Sequence, residues 1–144
     1  MTMIISSNAL NYLAVVRRCL DLLAGDDAPA AAAMFSPTAV VHCPLGGVQT
    51  AAIYFEALAS APRRTAAQDE RLFVSASGSR SVCAWLAREW QLSGGTRICL
   101  PCIDVFDFDE HGLIDQLTIF HDCAAFQQAG DDAYRNAQAR LPVG

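Results

Sequence analysis

The chain lacks any apolar run long enough to span a bilayer, and it is short of positive charge. It has 10 Lys and Arg against 15 Asp and Glu, a net charge of −5. The first absence argues against a membrane-spanning helix. The second argues against nucleic acid or an anionic membrane as a partner, because either one wants a basic surface. The opening stretch, MTMIISSNALNYL, has neither a basic n-region nor a long apolar core. No signal peptide is therefore expected, and the cytoplasm is the expected location. Internal repeats, linkers and low-complexity tracts are missing too, apart from a run of alanines at 30–33.

Histidine is scarce. His42, His111 and His121 form no convincing metal cluster, and no metal or other cofactor is expected. The six cysteines, at 19, 43, 83, 99, 102 and 123, should be reduced thiols in a chain with no export signal. Cys99 and Cys102 make a CxxC inside RICLPCIDVF. That segment reads as a strand, where residues three apart point to opposite faces, so neither a redox pair nor half a zinc site is expected. DFDEHG at 107–112 begins like a calcium loop, but the closing position holds Thr118 instead of a bidentate glutamate, so it is a turn.

What is present describes one globular domain. The chain has 144 residues, 53% of them hydrophobic and 17% charged, enough to bury a core without disulfide or metal support. Leu13, Val16, Leu20 and Leu23 recur at helical spacing over 8–24, with Ser7 or Asn8 as cap and Gly25 as terminator. Asp26, Asp27 and Pro29 open a second helix running to Phe35, broken by Ser36-Pro37. A strand follows at 39–45, a Gly46-Gly47 turn, and a third helix at about 49–60. Strands are expected at 68–76, 81–92, 97–108 and 113–122, separated by turn chemistry, with a last helix from 131 or 132 to 140. Helices first and an antiparallel sheet afterwards means α+β.

One residue is out of place in that pattern. With 109–112 as a hairpin turn, Phe108 faces Leu113, Asp104 faces Leu117, Cys102 faces Ile119 and Leu100 faces His121. Directly opposed residues share a face. Leu100, Cys102, Asp104, Phe106, Leu117, Ile119 and His121 therefore lie together, an apolar face carrying one acid and one imidazole. A buried carboxyl is costly unless it has work to do, so Asp104 is the first candidate site residue.

The segment IDVFDFDEHGLI at 103–114 closely resembles a strand and turn of the bacterial steroid delta-isomerases, in the nuclear transport factor 2-like (SnoaL-like) superfamily. The resemblance extends through AGDDAPAAAAMFSPTAVVHCPLGG at 24–47 and TAAIYFEAL at 50–58. It implies a curved antiparallel sheet wrapped around three helices, with an apolar pocket at the open end. It also implies a site. Asp104 falls where the isomerases keep a neutral carboxylic acid that donates to a developing oxyanion, and Tyr54 matches a supporting tyrosine. Other positions depart: the principal oxyanion tyrosine aligns with Arg18, a second tyrosine with Phe35, the carboxylate base with Cys43, and the tryptophan beside it with His121. A cysteine of ordinary pKa cannot run the family's proton shuttle.

His121 is then the candidate base, roughly 13 Å from Asp104 by strand rise, and a Cys43–His121 thiolate pair is the variant of that idea. Arg18 could instead ionise Asp104 and undo its donor role. On the 81–92 strand the resemblance puts Trp85 and Glu89 inward. Arg88–Glu89–Trp90 also invites comparison with limonene epoxide hydrolases, which need an Asp–Arg–Asp set; Trp90 and Ile119 occupy the acid positions, so that chemistry is not expected. Cys102, Phe106, Leu117 and Ile119 complete the expected substrate-binding wall. The implied function is a small cofactor-independent enzyme that isomerises, cyclises or dehydrates a hydrophobic cyclic carbonyl compound. The alternative is a non-catalytic binding protein for a small hydrophobic molecule. A homodimer is expected through an exposed sheet face, with Trp90, Leu86 and Leu92 as the patch.

Overall fold

The computed structural model describes residues 6–25, 27–44, 47–59, 68–91, 97–122 and 124. The possible last helix at 131–140 lies outside them. Helix α1, Ser7–Ala24, begins at Ser6, whose side chain accepts from the Ala9 N–H, and ends at Gly25, whose N–H donates to Asp21 O. Its buried face is Val16, Cys19 and Leu20, and Tyr12 stacks on Phe108 at 4.5 Å between ring centres. Helix α2, Ala28–Ala32, is capped by the Asp27 carboxylate, with Pro29 in its first turn.

Here the expected boundary moves. The second helix stops at Ala32, and Phe35-Ser36-Pro37 opens strand β1, Phe35–Cys43. The cause is a sheet partner. Ile114 N–H donates to Met34 O, Phe35 pairs with Ile114, and Ser36 donates a hydrogen bond to Asp115 at 2.9 Å. Pro37 is tolerated because the register shifts between Phe35 and Val40, where a missing N–H leaves no gap in the ladder. The Gly46-Gly47 region does not lead directly into a helix. Gly47, at φ +67°, starts strand β2, Gly47–Thr50, which pairs back on β1 before helix α3, Ala51–Ala59.

Strands β3, Gln68–Val74, β4, Ser81–Gln91, β5, Arg97–Phe108, and β6, Ile114–Phe120, follow at the expected places. The six strands form one curved, unclosed sheet in the order β2-β1-β6-β5-β4-β3. All neighbours are antiparallel except β1 and β6, which run parallel. The fold is therefore α+β, with the helices packed on one face of the sheet.

The β5–β6 turn forms as expected, with Asp109 Oδ1 accepting from the His111 and Leu113 N–H groups and Gly112 at φ +83°. Its register differs. Phe108 pairs with Ile114, and a bulge beside it moves every later pair, so that Asp104 faces Ile119 in place of Leu117. The shift is by two residues, which leaves each side chain on its expected face. Leu100, Cys102, Asp104, Phe106, Leu117 and Ile119 are all buried.

On β4 the expected faces are exchanged. Val82, Ala84, Leu86 and Arg88 point inward and are buried, while Trp85 and Glu89 lie half-buried on the outer face. The outer ladder seats Arg71 over the Trp85 ring at 4.4 Å and pairs Glu89 with Arg97 at 3.3 Å. Leu86 is thus removed from any outer patch, and Leu92 lies outside the described residues.

Candidate active site

Arg88 and Asp104 come from adjacent strands. Asp104 faces Ala84 and Arg88 faces Leu100, so the two side chains start four residues apart along the ladder. The guanidinium bridges that offset by lying along the inner face past the Leu86–Cys102 pair. Arg88 Nη2 donates to Asp104 Oδ2 at 2.9 Å, with the side chains 8% and 3% exposed. The other carboxylate oxygen, Oδ1, is buried and has no partner among the described residues.

Burial alone would disfavour the guanidinium's charge. The negative charge of Asp104 outweighs it, helped by the hydrogen bond itself, and holds the Arg88 pKa above its ordinary value. A guanidinium is only a donor, so the Asp104 oxygen facing it is an acceptor. Oδ2 is thus taken up by the guanidinium, and Oδ1 is the oxygen left to face a ligand. The cation beside Asp104 is Arg88, while Arg18 lies exposed on α1.

Several expected residues do gather here. Tyr54 reaches the cluster from α3, 4% exposed and packed edge-to-face on Phe55. It stands near enough to Arg88, as Cys43 does to Cys102, for the two pairs to interact electrostatically. Continuing the β1–β6 register from His42–Thr118 sets Cys43 beside Ile119, which itself faces Asp104. His121 follows Phe120, the partner of Ile103, and so comes two residues closer to Asp104 than the expected register allowed. Burial lowers its pKa, a backbone contact at Asp122 opposes that, and Arg88 lowers it again. The imidazole is therefore neutral at neutral pH.

Two buried thiols are quiet. Burial, reinforced by Asp104, pushes Cys19 up to about 12, and burial pushes Cys102 up to about 11. Cys99 is exposed and Cys102 buried, on opposite faces as the strand alternation requires. Phe35 serves as a core ring, 4.9 Å from Phe55.

Trp85 and Glu89 drop out of the site with their face, and sequence reasoning missed Arg88. A signal for it exists. Val82, Ala84 and Leu86 make the more aliphatic row of β4, and extending that row by two residues puts an arginine on the same inner face as the lone acid.

No family model matches the chain, and no curated protein matches it. Solved structures do. SalBIII, an epoxide hydrolase/cyclase-like enzyme with a role in pyran ring formation in the polyether salinomycin, is 24% identical with a TM-score of 0.68, over 79% of this chain and 92% of its own. A candidate polyketide cyclase from Xanthomonas campestris is 16% identical with a TM-score of 0.71, over 89% of this chain and 99% of its own. A nuclear transport factor 2-like protein of unknown function from Burkholderia pseudomallei is 17% identical with a TM-score of 0.71, over 82% and 95%. The fold is the nuclear transport factor 2-like fold, shared with structures named as polyketide cyclases. At these identities the likeness is one of fold, and chemistry has to be argued from the site.

Proposed function

We propose that this chain is a small enzyme of the cyclase or isomerase type, working without a cofactor on an apolar substrate that carries a carbonyl or comparable oxygen. One observation carries the reading: a buried Arg–Asp pair on the inner face, with one carboxylate oxygen left to accept a proton. Its cyclase-like structural neighbours agree with it.

Each group then has a task. Asp104 Oδ1 takes a proton from the carbon next to the substrate carbonyl. The released C–H electron pair moves into the carbon–carbon bond, and the carbonyl electrons move onto oxygen. Arg88 meets that developing negative charge with a fixed N–H donor in a water-poor surrounding. Returning the proton to a different carbon completes an isomerisation. His121, neutral at neutral pH, is the second proton carrier, and Tyr54 supports the guanidinium. The base thus moves from the position of Cys43 in the steroid isomerases to Asp104, on the far side of Ile119.

Exchange of the α-protons of an apolar cyclic ketone in D2O, followed by NMR, tests this. Wild type should accelerate exchange, and Asp104→Asn should lose roughly 10²–10⁴-fold of the acceleration. Ketone binding with no exchange in wild type would mean the alternative, a binding protein that holds such molecules without turning them over.

The homodimer is carried forward on a different surface. Ile103 and Phe120, 39% and 54% exposed, form a cross-strand pair on the outer face beside Trp85. Phe120→Glu should convert a dimer to a monomer in light scattering; an unchanged mass would remove that surface from consideration. No helix among the described residues is long and apolar enough to cross a membrane.

A further inference from the structure

Gln49 stands on the same inner face as Asp104 and has no task so far. Its residue pairs with Val41, which faces Leu117, which in turn faces Phe106, so one row of inward side chains runs from β2 to β5. Gln49 is 95% buried as a residue, and neither its Oε1 nor its Nε2 has a partner among the described residues. Its backbone is fixed on both sides, by the β1 ladder and by Thr50, whose hydroxyl accepts from the Ile53 N–H to open α3. Buried amides are normally hydrogen-bonded, so one with both ends open needs a reason.

The inner face therefore carries two unpartnered polar groups, Asp104 Oδ1 and the Gln49 amide, on strands three places apart. Three strand spacings make about 14 Å across the sheet, and Asp104 lies two residues, roughly 7 Å, further along β5 than the Phe106 end of the row. Between them the row is apolar: Val41, Leu117 and Phe106. Resting on the reading of Arg88–Asp104 as the reacting end, we infer that Gln49 is a second polar anchor, binding the far end of a ligand with an apolar body. The amide offers an acceptor and a donor side by side. A hydroxyl satisfies both, since it donates to Oε1 and accepts from Nε2; a carbonyl satisfies only Nε2. The substrate class is accordingly a bifunctional one, with a carbonyl or enol oxygen at Arg88–Asp104 and a hydroxyl at Gln49.

Two rigid probes test it by calorimetry: 4-hydroxybiphenyl, with one phenol, and 4,4′-dihydroxybiphenyl, which adds a hydroxyl at the far end. Wild type should bind the diol more tightly by about tenfold, the size of one net hydrogen bond. Gln49→Leu should lose the preference and bind both probes equally. In the absence of probe its melting temperature should equal or exceed that of wild type, because removing unsatisfied buried polar atoms in favour of an apolar side chain is neutral or stabilising. A preference retained in Gln49→Leu, equal binding of both probes by wild type, or a melting temperature lowered by several degrees would each overturn the anchor. Asp104→Asn reports separately on the other end. It should weaken both probes alike, and unchanged affinities there would sink the Asp104 reading while leaving the Gln49 preference to stand or fall by itself. Failure of wild type to bind either probe would remove both.

Discussion

The two faces of the β4–β5 ladder each carry an arginine–carboxylate pair, and the pairs are built differently. On the outer face Glu89 meets Arg97 at 3.3 Å, with the arginine side chain 69% exposed. On the inner face Arg88 meets Asp104 at 2.9 Å, nearly sealed from water. Outside, solvent already satisfies both charges, and such pairs contribute about 0–1 kcal/mol. Inside, desolvation of both ions offsets most of their attraction, and a hydrophobic pair of similar volume would be as stable or more so. An ion pair that stability does not require, with one carboxylate oxygen unpartnered among the described residues, is what the functional proposal rests on.

The largest effect should come from breaking the inner pair on one side. Arg88→Ala leaves a buried carboxylate without its cation and should cost about 3–5 kcal/mol in urea unfolding. A loss below about 1 kcal/mol would mean that the two faces are equivalent after all.

Next comes acid. The His121 pKa is lowered in the folded chain, chiefly by burial. Well above pH 6.5 the imidazole is neutral whether the chain is folded or not, and its full contribution is present. As the pH falls through about 6.5 toward the lower folded value, the unfolded chain takes the proton more readily, and stability is lost. The urea midpoint should therefore drop between pH 7.5 and 5.5 in wild type and drop less in His121→Gln. Equal drops would place the acid sensitivity elsewhere.

Thiol chemistry should also separate inside from outside. Cys99, exposed on β5, should react rapidly with a disulfide reagent at pH 8. Cys19 and Cys102, held up at about 12 and about 11, should wait for unfolding. Fast modification of Cys102 in the folded protein would show the inner face open to solvent. The smallest effect belongs to the outer pair, where Glu89→Gln should change stability by less than about 1 kcal/mol and leave proton exchange untouched.

The parts of this contrast differ in how well the sequence announces them. The inward row of β5 was legible because period-two alternation persists through a register error of two: Asp104 stays among Leu100, Cys102 and Phe106 whichever residue of β6 it faces. The face of β4 was not. Both of its rows mix apolar residues with a charge, and the resemblance, loose over these strands, set Trp85 inward where the cation–π contact with Arg71 holds it outside. Arg88 was lost with that face, and its contact with Asp104 was lost with it. Strand β2 was hidden because four residues between a glycine turn and a helix have no periodicity to read, so Gln49 was unreadable until the β1 pairing set its direction. The end of α2 moved for the same kind of reason, since long-range pairing of Met34 and Phe35 with Ile114 outweighs a local helical preference.

The central claim is that the inner pair serves chemistry at no gain in stability. The double variant Arg88→Met, Asp104→Leu tests it most directly, with urea unfolding and α-proton exchange measured on the same preparation. The account predicts stability within about 1 kcal/mol of wild type or above it, together with complete loss of exchange. A double variant that unfolds as easily as Arg88→Ala, or one that still exchanges protons, would contradict it.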